Sequence, residues 1–456
     1  MSNSFAYQKK TVYEKAGQET VKQAYEYAKG YVRFLDAAKT EREAVCEAIA
    51  MAEANGFRPY DFGMPMKAGD KFYYNNRDKN IYLFSIGTED INEGIRITAA
   101  HIDSPRLDLK QVPLYEDSGM CYLKTHYYGG IRKYQWLAMP LALHGVVIKE
   151  DGSTVKITIG ENESDPVLYI TDLLPHLAGG DAEKTLSKAF SAEKLNILIG
   201  SMPLVDEEKD AVKAGVLRYL HDTYGIVEED LLSAELSIVP AGKARDAGLD
   251  RSMICAYGHD DRVCAYPSIT AMIDAKETKH TTMCILVDKE ETGSDGVTGM
   301  QSALITDIIT EIAKALGGNE ATVRAHSKCL SSDVAATFDP NYADVFERRN
   351  AALIGCGVAM CKYTGSRGKS GTSDASAELV AWVRRCLNQA GVVWQTCELG
   401  KVDVGGGGTV AKYMANHNID TIDIGVSVLS MHAPYELISK VDLYEAYRAF
   451  RAFYNF

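Results

Sequence analysis

Apolar and polar positions alternate along this chain with two different periods. Residues 21–34 and 41–55 carry apolar side chains at helical spacing, and Gly56 supplies a C-terminal stop. Two short strand-like runs follow at 71–75 and 81–85, with Asn76, Arg77 and Asp78 as the hairpin turn between them. Residues 95–100 read as a buried strand that delivers His101 and Asp103. A second buried run, 283–287, ends at once in Asp288, Lys289, Glu290 and Glu291. Gly293, Gly296 and Gly299 come next, before an apolar-periodic helix that opens near Met300. Two adjacent carboxylates at the exit of a buried strand are costly unless something cationic sits beside them.

Further helices are predicted over 262–275, 302–316 and 376–390 and from about Val441, and strands near 328–332, 392–397 and 421–428. Gly405 to Gly408 form a four-glycine loop before a short helix ending at about Met414. Between 110 and 245 the texture differs. Aromatic residues crowd 115–136, and strands at 146–148 and 155–159 flank a turn containing Glu150, Asp151 and Gly152. Residues 179–230 are polar with weak periodicity, and a strand returns at 236–239. The pattern predicts an α/β sheet with helices on both faces, interrupted by a β-rich insertion.

Composition narrows the function classes. A chain of 456 residues with 46% hydrophobic content is long enough for two cores. Its formal net charge of -13 argues against nucleic acid and anionic membrane as partners. The ten cysteines are scattered without a CxxC pair, which reads as reduced thiols of a cytoplasmic protein. The N-terminus shows no apolar signal core, and the most apolar stretch, 136–148, is too short for a membrane span.

Several chemistry-bearing groups fall just beyond predicted strands: His101 with Asp103, Glu290 with Glu291, Asp333, and His432. Asp260 and Asp261 lie in the turn GHDDR ahead of a helix. Open α/β sheets bind ligands beyond the carboxyl ends of their strands, so this topology gathers distant residues into one place. Imidazole and carboxylate suit zinc, manganese or cobalt, and a bridging carboxylate holds two ions close together. Adjacent glutamates diverge, so one can ligate while the other takes a proton from the activated water. Asp103 is spaced to orient the His101 imidazole. Taken singly, each motif has a plainer reading: HxD as a structural pair, EE as a helix surface, GHDD as a helix cap. Their joint occurrence at strand exits is what points to a dinuclear metal site.

The segments AAHIDSPRLDLK, GHDDRV, DKEETGSDGVTG, LSSDVAATFDPNY and SVLSMHAPYE, in this order, closely resemble the M18 family of metallo-aminopeptidases, the family of aspartyl aminopeptidase. The resemblance implies a mixed-sheet α/β catalytic domain (1–110 and 246–456) with an inserted β-rich dimerisation domain (111–245). It implies two divalent metal ions, zinc first, with cobalt and manganese as alternatives. One would be held by His101, Asp260 and Asp333, the other by Asp260, Glu291 and His432. Glu290 would be the general base and Asp103 the orienter of His101. It further implies peptide substrates and a homo-oligomer, typically a tetrahedral dodecamer built from dimers. His176, Lys362, Gly406 and Gly407 match family segments near the substrate.

The chain departs from the aspartyl type. Asp339 in FDPNY and Ala336 stand where that type carries histidines. A pocket for an acidic side chain needs positive character, so a neutral or broader preference is equally compatible. The expected activity is removal of N-terminal residues from peptides. The competing reading is a catalytically idle, self-assembling scaffold of the same fold, and a third keeps the metal site but changes the amide bond cleaved.

Overall fold

A computed structural model describes residues 5–181, 183–275 and 278–456. The chain forms two compact units. One takes in residues 1–103, 244–431 and 436–456; the other takes in 104–243 and 432–435.

The first unit is built on a nine-stranded mixed sheet. Its centre is four parallel neighbours in the order Thr281–Val287, Ile95–His101, Lys328–Ser331 and Asp420–Gly425. Antiparallel strands Asn80–Ser85 and Val358–Cys361 flank them. Alternate residues of the central strands enter two different cores. Cys284 and Leu286 join one cluster, while Met283, Ile285 and Val287 join the other. A sheet covered on both faces has no reason to alternate apolar with polar, which is why these strands read as continuous apolar runs. Helices Gln18–Ala37, His259–Asp274 and Lys440–Tyr454 contribute to one core, and Leu304–Ala315 to the other.

Because the four central strands are parallel, their carboxyl ends share one edge. His101 closes one strand, Asp288 follows the next, and Ser332 and Asp333 follow the third. A smaller five-stranded sheet includes Met253–Ala256, which leads into Gly258 and the Asp260 segment, and Glu436–Ser439.

The helix expected from Met300 begins instead at Leu304. Residues 293–303 are spent on a compact loop with Gly293, Ser294 and Gly296 at positive φ, closed by Gln301 N–H donating to the Ser294 carbonyl at 3.1 Å.

In the second unit, Arg106–Asp117 is one continuous strand. Its ladder with Met120–Tyr128 shifts register between Leu109 and Leu114. The strands run Ala234–Pro240, Arg106–Asp117, Met120–Tyr128, Ile197–Gly200, Leu168–Tyr169 and Pro140–Ile148, and the last pairs back with the first. That closure makes a barrel with an apolar cavity of about 790 Å³ lined by Leu123, Leu143, Ile157, Leu168 and Leu236 among others. The polar region between 179 and 230 contains a helix, Ala211–Tyr224, that the periodicity did not announce. Only Val212 of this helix is buried, while Val216, Tyr219 and Leu220 on the same face line the apolar cavity, and Gly225 in the left-handed region ends the helix.

Candidate metal centre

The centre grows from the buried strand Ile95–His101. His101 is 1% exposed and its ring is fixed from one side. Nδ1 lies 2.9 Å from the Asp103 backbone carbonyl and 3.3 Å from the Asp103 carboxylate. Both neighbours are acceptors, so Nδ1 carries a hydrogen. Nε2 faces Asp260 Oδ1 at 3.0 Å and Asp333 Oδ1 at 3.8 Å. That nitrogen, set against a buried and a nearly buried carboxylate, calls for a cation at this point, either a proton or a metal ion. The three donors lie within 4.8 Å of one another, a reach suited to a single ion.

The electrostatics express the same demand. Burial alone would lower the His101 pKa, but the Asp103 and Asp260 carboxylates outweigh it and push it well above the ordinary imidazole value. Asp333 is pushed well up, by burial first and then by the Glu290 and Asp260 charges against the relief given by His101. Asp261, completely buried, is also pushed up, by burial and then by Asp333. The cluster draws protons because its acids are buried and crowd one another. A divalent ion relieves the same repulsion with more charge.

The helix that follows GHDDR takes Gly258, not Asp260, as its N-cap, and no side chain caps it. Gly258 takes φ 74°, Asp260 and Asp261 leave helical geometry, and the Asp260–Asp261 peptide is cis. The Asp260 N–H donates to Glu436 Oε2 at 3.0 Å, which anchors the segment from outside the helix.

The glutamate pair is aimed by a turn. Lys289 adopts φ 69°, and the chain coils through Glu290–Thr292. The N–H groups of Glu290 and Glu291 donate to Oδ1 and Oδ2 of Asp103, each at 3.2 Å. Asp103, fully buried, thus holds the histidine with one oxygen and the glutamate pair with both. Sequence reasoning assigned it only the imidazole; the link to residues 187 positions away needed the fold. Carboxylate oxygens of Asp260 and Glu291 come within 4.8 Å of each other. Nearby, Asp288 accepts from Thr298 Oγ1 at 2.8 Å, and burial, with Glu41 and Asp103 close by, pushes it up to about 6.

His432 sits at φ 65° in the short 432–435 excursion, and its Nδ1 lies 2.9 Å from the Gly130 carbonyl. A side chain on Gly130 would crowd that ring at 3.2 Å, so this position favours glycine. The carbonyl accepts from Nδ1–H and leaves Nε2 as the nitrogen with a lone pair.

The other residues singled out by the sequence make the following local contacts. His176 is in the single turn Pro175–Leu177 of the second unit. Lys362 pairs with Asp374, which also takes Lys369 at 2.8 Å. Gly406 and Gly407 pair with Ser366 and Gly365, and a Cβ on Gly406 would meet the Gly365 carbonyl oxygen at 2.3 Å. Close backbone approach accounts for those glycines. Asp339 accepts from the Asn341 N–H at 2.8 Å, capping its own turn.

Residues 34–454 match the family model described as Aminopeptidase I zinc metalloprotease (M18). A probable M18 family aminopeptidase 1 of Clostridium acetobutylicum is 50% identical over 464 residues, covering 100% of both chains. The crystal structure of an M18 aminopeptidase from Thermotoga maritima superposes with a TM-score of 0.94 at 43% identity, covering 99% of this chain and 100% of that one. The yeast mApe1 dodecamer shares the fold at 20% identity, TM-score 0.77, over 94% of this chain and 97% of that one. The chain belongs to the M18 family of zinc aminopeptidases, which are metallo-exopeptidases.

Proposed function

We propose that this chain removes single N-terminal residues from peptides with two divalent ions, zinc first, and Glu290 as general base. The reading is carried by one observation: His101 Nε2 and the carboxylates of Asp260 and Asp333 converge at the carboxyl end of the sheet, within reach of a single ion. These three residues would hold one ion. Asp260, Glu291 and His432 would hold the second, with Asp260 as the bridge. His432 lies four residues before Glu436, whose carboxylate already takes the Asp260 N–H, and this supports its assignment.

Divalent ions held by these residues would supply Lewis acidity, enough to polarise a scissile carbonyl and to make water acidic near neutral pH. The chain's own residues do the rest. Asp103 keeps His101 in the tautomer with Nε2 available and steadies the backbone of both glutamates. Glu291 ligates, while Glu290 is left to accept the proton of the attacking water and return it to the departing amine nitrogen. A fixed carboxylate is well suited to this shuttle because its proton moves without reorganisation of the site.

The second unit serves assembly in this reading, as a dimerisation domain in a dodecamer. The likeness to the dodecameric yeast structure supports it at the level of fold. So do Leu173, Leu174 and Leu177, which are exposed around His176 and mark a partner-facing segment. His176 would then approach a neighbouring copy's substrate, with Lys362, Gly406 and Gly407 as nearer substrate contacts. The net charge of -13 leaves nucleic acid and anionic membrane outside the reading, and among the described residues no helix is long and apolar enough to cross a membrane. We assign the protein to the cytoplasm.

A panel of aminoacyl-p-nitroanilides covering acidic, neutral and basic residues tests this. Turnover of at least one class, abolished by chelation and restored by zinc, cobalt or manganese, is expected. Metal binding with no turnover across the panel and on intact peptides would favour the idle scaffold instead.

A further inference from the structure

Ten cysteines are unpaired in this structure, yet two of them meet. Cys361 ends the strand Val358–Cys361, and Cys397 directly follows the strand Trp394–Thr396. These strands are parallel neighbours with Met360 opposite Thr396, so Cys361 and Cys397 are the next pair in the same register. The Cys397 N–H donates to the Met360 carbonyl at 3.1 Å, which carries the ladder through the pair. The two sulfurs stand 2.8 Å apart. Neighbouring strands run about 4.7–4.9 Å apart, within the Cα spacing of roughly 4.4–6.8 Å that a disulfide accepts. Around the sulfurs the packing is small: both belong to a cluster whose other members are Ala335, Ala352 and Ala359. No bulky side chain of that cluster stands against a short movement of either sulfur.

What lies beyond the pair gives it a consequence. Both strands leave the sheet here, into segments 362–375 and 398–409. Tyr363 donates to Glu398 Oε1 at 2.6 Å, and further out Gly365–Ser366 pairs with Gly406–Gly407. The cysteines are therefore the root of two neighbouring segments, joined to each other by that side-chain bond and short ladder. Segment 398–409 is also anchored by the Glu398 and Lys401 N–H groups, which donate to the Asn350 and Val345 carbonyls at 2.7 and 2.9 Å.

We propose that Cys361 and Cys397 are an oxidation site, forming an intramolecular disulfide that ties the root of these two segments. The oxidant is a peroxide. One thiol attacks a peroxide oxygen and passes its proton to the departing hydroxide as the O–O bond breaks, so the sulfur becomes a sulfenic acid and one water is released. The second thiol displaces the sulfenic oxygen as another water. Two thiols and one hydrogen peroxide thus give one disulfide and two waters. A thiol reductant reverses the change.

The test uses the full chain with zinc bound, treated with hydrogen peroxide, quenched, and mapped by differential alkylation and peptide mass spectrometry. A peptide crosslinked between Cys361 and Cys397 is expected. Amide hydrogen exchange in 362–375 and 398–409 should slow several-fold and recover with dithiothreitol. Cys361→Ser and Cys397→Ser should each abolish both signals while leaving the fold unchanged by circular dichroism. Free thiols at both positions after the other cysteines have oxidised would overturn the proposal, as would unchanged exchange in a crosslinked protein. None of these readouts depends on peptidase turnover, so the result stands apart from the proposed activity.

Discussion

Two groups of buried acids in the first unit have opposite solutions. Asp442 and Glu445, in the C-terminal helix, are both fully buried. Asp442 accepts from the Gly355 N–H at 2.7 Å and the Gly357 N–H at 2.6 Å. Glu445 accepts from the Val393 N–H and from Arg448 Nη1, each at 2.7 Å. These acids are answered by donors of the protein itself, and they hold a helix against the sheet. Asp260 and Asp333 instead converge on one another and on His101 Nε2. Burial is deep in both places, though Asp333 is slightly more open than the others. What separates structure from chemistry is whether the neighbours are donors or further acceptors, because only the second arrangement calls for an ion from outside.

The contrast breaks most visibly at Glu290. Changing it to Gln should lower kcat by about 10²–10⁴-fold with both metals retained. Ordinary turnover with unchanged metal content would remove it from the base role, as read by steady-state kinetics beside elemental analysis. Asp103→Asn sharpens the comparison, since it alters an acid that holds ligands without itself facing the cluster. A loss of about 10–100-fold in metal affinity or activity is expected. Metal titration followed by kinetics would show it, and wild-type values for both would deny Asp103 its positioning role.

Asp442→Asn addresses the structural acids. It leaves one of two buried N–H groups facing an amide nitrogen, at a cost of about 1–3 kcal/mol in unfolding free energy. Metal content and kcat should not change. The same variant carries the smallest prediction, a change in pH slope. Burial raises Asp442 from 3.8 to about 7 against the opposing Gly355 and Gly357 N–H bonds. The folded state therefore binds more protons than the unfolded one across this window, and this carboxyl's contribution to stability falls as pH rises from about 4 to about 7. Denaturant unfolding across that range should show a shallower fall in the variant than in the parent. Equal slopes would mean Asp442 stays ionised when buried.

The catalytic strands were legible because burial on both faces writes an unbroken apolar run, and the motifs at their ends stand out against it. The run at 283–287 covers most of the observed Thr281–Val287 strand, and 95–100 is nearly all of Ile95–His101. The helix Ala211–Tyr224 was not legible, since its short stripe of Val212, Val216, Tyr219 and Leu220 is set in a long polar and charged stretch and carries Gly215 in its interior. Nor was the barrel closure, which depends on Ala234–Pro240 returning to Pro140–Ile148 across some ninety residues of sequence.

Side-chain type and spacing are local quantities, and they sufficed for the element types of the sheet core and for the family. Which donor meets which acceptor was settled only by the fold. The Asp103 carboxylate under both glutamates, His101 Nε2 turned to Asp260 and Asp333, and the meeting of Cys361 with Cys397 are contacts between distant segments. Parallel strand order creates them, and no local pattern encodes strand order.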